Sequence, residues 1–165
     1  MVASPVCSNS TKFFCHMPCL MQLDISGHLL EYLTMGGLPE NCLTALNNVK
    51  SFNVRAMFFR SIKHVSGVIY LITSFPKLQK LTIECMKSEA VELVVQYLQD
   101  QSSLCGAVKL LQKVHMNMFR GLEVEMEFLR LILASALVLK EISAWNYVHI
   151  LYPSGREIMD ELKQY

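Results

Sequence analysis

Five stretches of the chain repeat one arrangement of apolar positions: the second apolar residue comes three places after the first, and the third two places after that. They are Leu20, Leu23 and Ile25; Val49, Phe52 and Val54; Leu78, Leu81 and Ile83; Leu111, Val114 and Met116; and Leu139, Ile142 and Ala144. Their first positions, Leu20, Val49, Leu78, Leu111 and Leu139, follow one another at nearly even intervals. The last two apolar positions of each set alternate with other residues, which is the period of a strand with one face buried. Strands are therefore expected over about 20–26, 49–55, 78–84, 111–117 and 139–145. Between them the apolar spacing changes to three and four. Ile62, Val65, Ile69 and Ile72 predict a helix over 60–74 despite Gly67, and Leu122, Met126, Leu129, Ile132 and Leu133 predict one over 122–135. Val91, Val94, Val95 and Leu98 predict a helix over 89–100, with Ser88 as its N-cap. Residues 28–34 read as a short helical turn, and Ser154-x-x-Glu157 opens a last helix with Ile158 and Leu162 inward. Gly36, Gly37 and Pro39 mark one loop and residues 101–106 another. Pro18 and Pro76 each stand two residues before a first apolar position, where the ring separates a turn from the strand that follows.

The residues between the apolar ones give a second, separate test. They are Gln22, Asp24, Ser26; Ser51, Asn53, Arg55; Lys80, Thr82, Glu84; Lys113, His115, Asn117; and Glu141, Ser143, Trp145. Fourteen of these fifteen are polar, although 52% of the chain is hydrophobic. Strands covered on both faces by helices read as continuous apolar runs, so the alternation points to a sheet with one open face. One strand and one helix in each interval of roughly 30 residues is the sequence sign of a leucine-rich-repeat solenoid. The expected fold is α/β: a single curved parallel sheet of about five strands, with helices on the convex side.

Composition narrows the function classes. The longest apolar run, 131–139, is far short of the roughly 20 residues that cross a bilayer, so no membrane span is expected. Fifteen basic and 14 acidic residues give a net charge of +1 with no block of either sign, which argues against nucleic acid or a membrane surface as partner. The N-terminal residues lack the basic and apolar regions of a secretory signal, so the six cysteines are read as free thiols in an intracellular, cytoplasmic or nuclear, protein. Cys7, Cys15, His16 and Cys19 carry metal-ligating chemistry, but no Cys-x-x-Cys pair or second ligand pair accompanies them. They read as an irregular tail, 1–17, running into a buried Cys19. Cys85 and Cys105 read as buried hydrophobes, and Glu123, Glu125 and Glu127 as a solvated helix start. His28, His64 and His149 lack partners at catalytic spacing, and no nucleophile-elbow, phosphate-loop, dinucleotide or zinc-protease motif occurs. No catalytic residue, cofactor or metal is expected.

The chemistry that remains lies on the outward row. Stacked strands would place it on one concave surface, the usual binding face of a solenoid. The candidate protein-binding residues are Arg55, Lys80, Lys113, His115, Glu141 and Trp145. Trp145 is the one apolar member and either anchors a partner or lies under the loop at 146–154.

Several segments, in order, resemble the C-terminal part of plant F-box proteins of the FBD/leucine-rich-repeat type. CLMQLDISGHLLEYLTMGGLPENCLTALNNVKSF resembles that family's repeat, Gly-Pro loop and Leu-Asn-Asn-x-Lys strand, and ITSFPKLQKLTIE its serine-proline-x-leucine repeat. EAVELVVQYLQDQSSLCGAVKLLQKVHM and GLEVEMEFLRLILASALVLKEIS resemble the FBD unit. The resemblance implies a leucine-rich-repeat region over 18–100 and an FBD-like, truncated continuation of the solenoid over 101–165. It departs from the family at Leu137, which stands in place of the serine-proline step, and at His28, Met57, Met86 and Phe119, which replace the closing Asn or Cys. Family members carry an N-terminal F-box that docks on the adaptor of a cullin-type (SCF) ubiquitin ligase. Residues 1–18 are too short for one, so adaptor docking is not expected. The resemblance implies a non-enzymatic module that recognises a protein partner, like the substrate-binding part of such a receptor. The alternative is a structural remnant without independent activity, and a thiol- or metal-dependent activity of the N-terminal cysteines ranks third.

Overall fold

The computed structural model describes residues 19–30, 46–87, 91–101, 104 and 108–145. They form one sheet of five parallel strands: β1 Gln22–Ser26, β2 Ser51–Met57, β3 Lys80–Cys85, β4 Lys113–Asn117 and β5 Glu141–Trp145. The strands lie side by side in chain order. Helices α1 Ile62–Ser74, α2 Glu92–Gln99 and α3 Glu123–Ser135 separate β2 from β3, β3 from β4 and β4 from β5, and residues 27–30 are helical. All five expected strands and the three longer helices are present. The final helix expected from Ser154 lies outside the described residues.

Register shows why the apolar spacing recurs. Leu23 pairs with Phe52, Phe52 with Leu81, Leu81 with Val114 and Val114 with Ile142. Ile25, Val54, Ile83, Met116 and Ala144 form a second row two residues on. Phe52, Val54, Leu81, Ile83, Val114 and Met116 have no exposed surface. They join Val65, Val68, Ile72, Val94, Leu98, Phe128, Leu129 and Ile132 from the helices in one core. Fully burying side chains of this size contributes about 1.5–3 kcal/mol each, so these rows hold the helices to the sheet. Phe52 meets Phe75 edge-on at 5.3 Å, and Phe59 meets Phe128 likewise at 5.5 Å. Ile142 and Ala144 are only half-buried.

The four strands β2 to β5 begin in the same way. The carbonyls of Met21, Lys50, Gln79 and Gln112 each accept two successive amides from the next strand, at 2.8–3.1 Å. A tight turn precedes three of these starts: Val49 N–H donates to the Leu46 carbonyl, Leu78 to Phe75 and Leu111 to Val108. Pro76 occupies the second place of the middle turn, where its fixed φ is already correct. The first apolar position of these three sets therefore closes a turn, and in all five sets the strand starts two residues later than the alternation suggests.

At the far end of the strands, Ala56 and Met118 have positive φ, 54° and 59°. They are equivalent positions in the register, Ala56 within β2 and Met118 just past the end of β4. In β2 the extra residue shifts the register between Val54 and Met57, a β-bulge. The bulge turns the Ala56 carbonyl toward Gly27, where a Cβ would lie 2.3 Å from that oxygen. Only glycine fits there.

Three expectations need correction. α2 is capped by Val91, with no side-chain hydrogen bond, so the helix starts later than a cap at Ser88 would have it. Cys19 is exposed, not buried. Glu125 is fully buried, not solvated. Two residues turn about 200° around a helix, so Glu123 faces solvent while Glu125 faces the core. The Glu125 carboxylate accepts the backbone N–H of Arg120 at 2.9 Å and of Leu122 at 3.2 Å, and so closes the start of α3. Leu122 has no side-chain acceptor to return the bond. The Arg120 guanidinium lies 3.7 Å from Glu125 and donates to the Met86 carbonyl at 3.1 Å, which ties the α3 start to the end of β3. Burial raises the Glu125 pKa, while the backbone amides and the guanidinium oppose that rise. Burial also pushes the Cys85 thiol well up, and Glu125 adds to this, so Cys85 is a protonated core residue.

Three substitutions test these contacts through stability. Gly27→Ala should lose about 1–3 kcal/mol by overpacking against the Ala56 carbonyl. Ala56→Gly should gain about 0.5 kcal/mol, because relief of left-handed strain outweighs the added freedom of the unfolded chain. Urea unfolding of both variants checks the contrast in sign. Arg120→Ala should cost about 2–3 kcal/mol by leaving a buried carboxylate without its cation. The Glu125 pKa is raised in the folded state, so its charge weakens the fold as pH rises through that folded value. The Arg120→Ala deficit should therefore be larger at neutral pH than in mild acid, and equal deficits would dissociate Arg120 from the Glu125 charge.

Candidate functional site

The face opposite the core carries the fifteen outward residues in three rows. Gln22, Ser51, Lys80, Lys113 and Glu141 align across the strands, as do Asp24, Asn53, Thr82, His115 and Ser143. In the third row Ser26 pairs with Arg55, and Glu84 with Asn117 and then Trp145, with the β2 bulge between the two sets. None of the fifteen is buried.

Four of the six expected site residues come together. Lys80, Lys113 and Glu141 are register neighbours on β3, β4 and β5, and His115 lies two residues beyond Lys113. The Lys113 ammonium meets Glu141 Oε2 at 2.7 Å, and His115 Nε2 lies 4.0 Å from Glu141 Oε1. His115 Nδ1 hydrogen-bonds the Ser143 hydroxyl, which orients the ring along the row. Burial lowers the His115 pKa, and the Lys80 and Lys113 ammonium groups push it the same way, while Glu141 opposes them. The Glu141 pKa is lowered, first by its hydrogen bond from Lys113. At neutral pH the cluster therefore presents two ammonium groups, one carboxylate and a neutral imidazole.

The other two site residues stand apart. Arg55 is paired with Asp24 at 2.8 Å, and Asp24 also accepts from Asn53 at 3.1 Å. An exposed pair of this kind contributes roughly 0–1 kcal/mol, so it orders the β1–β2 side more than it stabilises it. Trp145 is 61% exposed at the far end of β5. Four residues of strand, about 13 Å, separate it from Glu141. Residues 146–154, the other reading for Trp145, lie outside the described set. Sequence reading missed Asp24, which holds both Asn53 and Arg55. Its signal was an acidic residue in register with an amide and diagonal to an arginine.

Among the described residues, no group of three or more His, Cys, Asp or Glu side chains could hold a metal. Cys7, Cys15, His16, Cys105 and His149 lie outside that set. No described helix is long and apolar enough to cross a membrane.

Residues 109–143 match a family model described as FBD. The match takes in β4, α3 and β5 as far as Ser143, and with them Lys113, His115 and Glu141. Lys80, Arg55 and Trp145 lie outside it. No curated protein and no solved structure matches the chain.

The pH dependence of the cluster has a definite sign. The folded chain releases the His115 proton more readily than the unfolded chain does. The neutral ring therefore costs nothing at high pH, and stability is lost as pH falls from the ordinary imidazole pKa through the depressed folded value. Lys80→Gln should raise the His115 pKa and Glu141→Gln should lower it, as read from imidazole proton shifts in an NMR titration. An unmoved pKa in both variants would mean that the three strands do not share one electrostatic site.

Proposed function

We propose that the chain is a non-enzymatic protein-recognition module that holds its partner on the polar face of the sheet. One observation carries the reading: polar residues lie in register on five adjacent strands, on the face opposite two apolar rows that are buried in β1–β4 and half-buried in β5, and none of the polar residues is buried. Folding alone requires only the buried rows, so an aligned polar face is free to be specialised for binding. The recurrent strand start and the sequential parallel order support a leucine-rich-repeat solenoid in which this face is concave. The FBD match supports a role like that of the substrate-binding part of an F-box ubiquitin-ligase receptor, acting inside the cell. In this reading Lys80, Lys113, His115 and Glu141 supply charge and hydrogen bonds, Arg55 borders the β1–β2 side, and Trp145 supplies an aromatic anchor at the β5 side.

A bulky charge at the centre of the face gives the test. Thr82→Arg, in the middle row of the middle strand, should weaken capture of a protein partner by about tenfold or more, as expected for a blocked interface centre. Gln96→Arg on the exposed side of α2 should leave capture unchanged. Equal capture by Thr82→Arg and the parent chain, with both folded by circular dichroism, would remove the sheet face from the account.

A further inference from the structure

The entry ends of the strands carry an excess of one charge. Across β2 to β5, the position just before each strand is Lys50, Gln79, Gln112 and Lys140, joined in sequence by the shared carbonyl bonds. The first strand positions are Ser51, Lys80, Lys113 and Glu141, aligned in register. Of these eight side chains four are lysines and one is acidic, and all four lysines are exposed. Lys77, on the turn before β3, adds a fifth ammonium and donates to the Asn48 side chain at 2.8 Å. Lys80 and Lys113 stand directly side by side on neighbouring strands, where like charges repel. Glu141 neutralises Lys113, and no ion pair of Lys80 is present among the described residues. Two adjacent ammonium groups with a single counterion, on the side of Lys113 away from Lys80, attract a further anion.

The geometry limits what that anion can be. Three strand spacings separate Lys50 from Lys140, about 14 Å, the length of roughly four extended residues. The rows between offer amides and a hydroxyl, Gln79, Gln112 and Ser51, which suit a peptide backbone. They offer no aromatic ring on which a nucleobase could stack. The whole chain carries only +1, so the excess is local and matches a short acidic stretch better than a long polyanion. The other end of the same face, around Asp24, Arg55 and Glu84, carries both signs. A partner bound through an acidic stretch would therefore have one preferred orientation.

We propose that the lysine rim over the entries of β2–β5 binds a carboxylate-rich stretch of four to five residues (about 14 Å extended) in a partner protein, with Lys80 at its centre. The proposal rests on the polar face being the recognition surface and names the chemistry of what it recognises. The test is fluorescence anisotropy with a labelled hexa-glutamate peptide, its hexa-glutamine counterpart and a deoxythymidine oligonucleotide of the same charge. Hexa-glutamate should bind about tenfold or more tightly than hexa-glutamine, and its affinity should fall steeply with added salt. Lys80→Glu should weaken hexa-glutamate binding by about tenfold, whereas the same charge change on α1, Lys63→Glu, should alter it less than about twofold. Equal losses in the two variants, no preference for glutamate over glutamine, or tighter binding of the oligonucleotide would each overturn the proposal. If Thr82→Arg abolishes partner capture while Lys80→Glu leaves it untouched, the acidic stretch is refuted and the face assignment is not.

Discussion

One carbonyl accepting two amides, four times over, fixes where each strand begins against its neighbour. Everything else follows from that alignment. Side chains alternate with a period of two, so a slip of one residue would bring Phe52, Leu81 and Val114 to the open face and Asn53, Thr82 and His115 into the core. Burying those aliphatic and aromatic side chains stabilises the aligned register by far more than the exposed ion pairs could oppose. The polar rows are aligned because the apolar rows are, and the charged cluster inherits its geometry from a core it does not touch.

The same logic explains which parts of the molecule could be read from the chain. Strand period and apolar spacing come from local residue types, so the five strands, the three longer helices and the pairing of Leu23, Phe52, Leu81, Val114 and Ile142 were legible. Strand starts were read two residues early because the first apolar residue of a set can be buried without belonging to the strand: Val49, Leu78 and Leu111 are core residues whose amides close a turn. Ser88 was a reasonable cap by residue type, but the start of α2 at Glu92 is set by packing of Val94, Val95 and Leu98 against the core. Glu125 was misread because a glutamate is ordinarily solvated. Its burial depends on Arg120 and on two backbone amides, all within five residues, but their convergence on one carboxylate is set by the path of the chain into α3 and not by residue type. The bulge at Ala56 was invisible for a similar reason, since nothing about alanine announces a left-handed backbone.

For the site, legibility stopped at the row. Alternation identified which side chains face outward, but not which of them meet. Lys113 and Glu141 lie one full repeat apart along the chain, and Asp24 and Arg55 slightly more, separations that only register converts into contact. Arg55 and Trp145, grouped with the lysines by residue type, fall on other parts of the face. The FBD match ends at Ser143, so Trp145 is carried by the sheet geometry alone.

Parallel order has a kinetic side as well. No strand reaches its neighbour through a tight hairpin; Leu81 must find Val114, and Val114 must find Ile142, each across a whole intervening strand-to-strand connection. Closure entropy varies only with the logarithm of loop length, so four closures of nearly equal span differ by about 0.1 kcal/mol. Proximity along the chain therefore gives no pair a head start. What separates the closures is how much each removes from water, and by that measure the pair that brings Phe52 onto Phe75 gains more than the half-covered edge at Ile142 and Ala144.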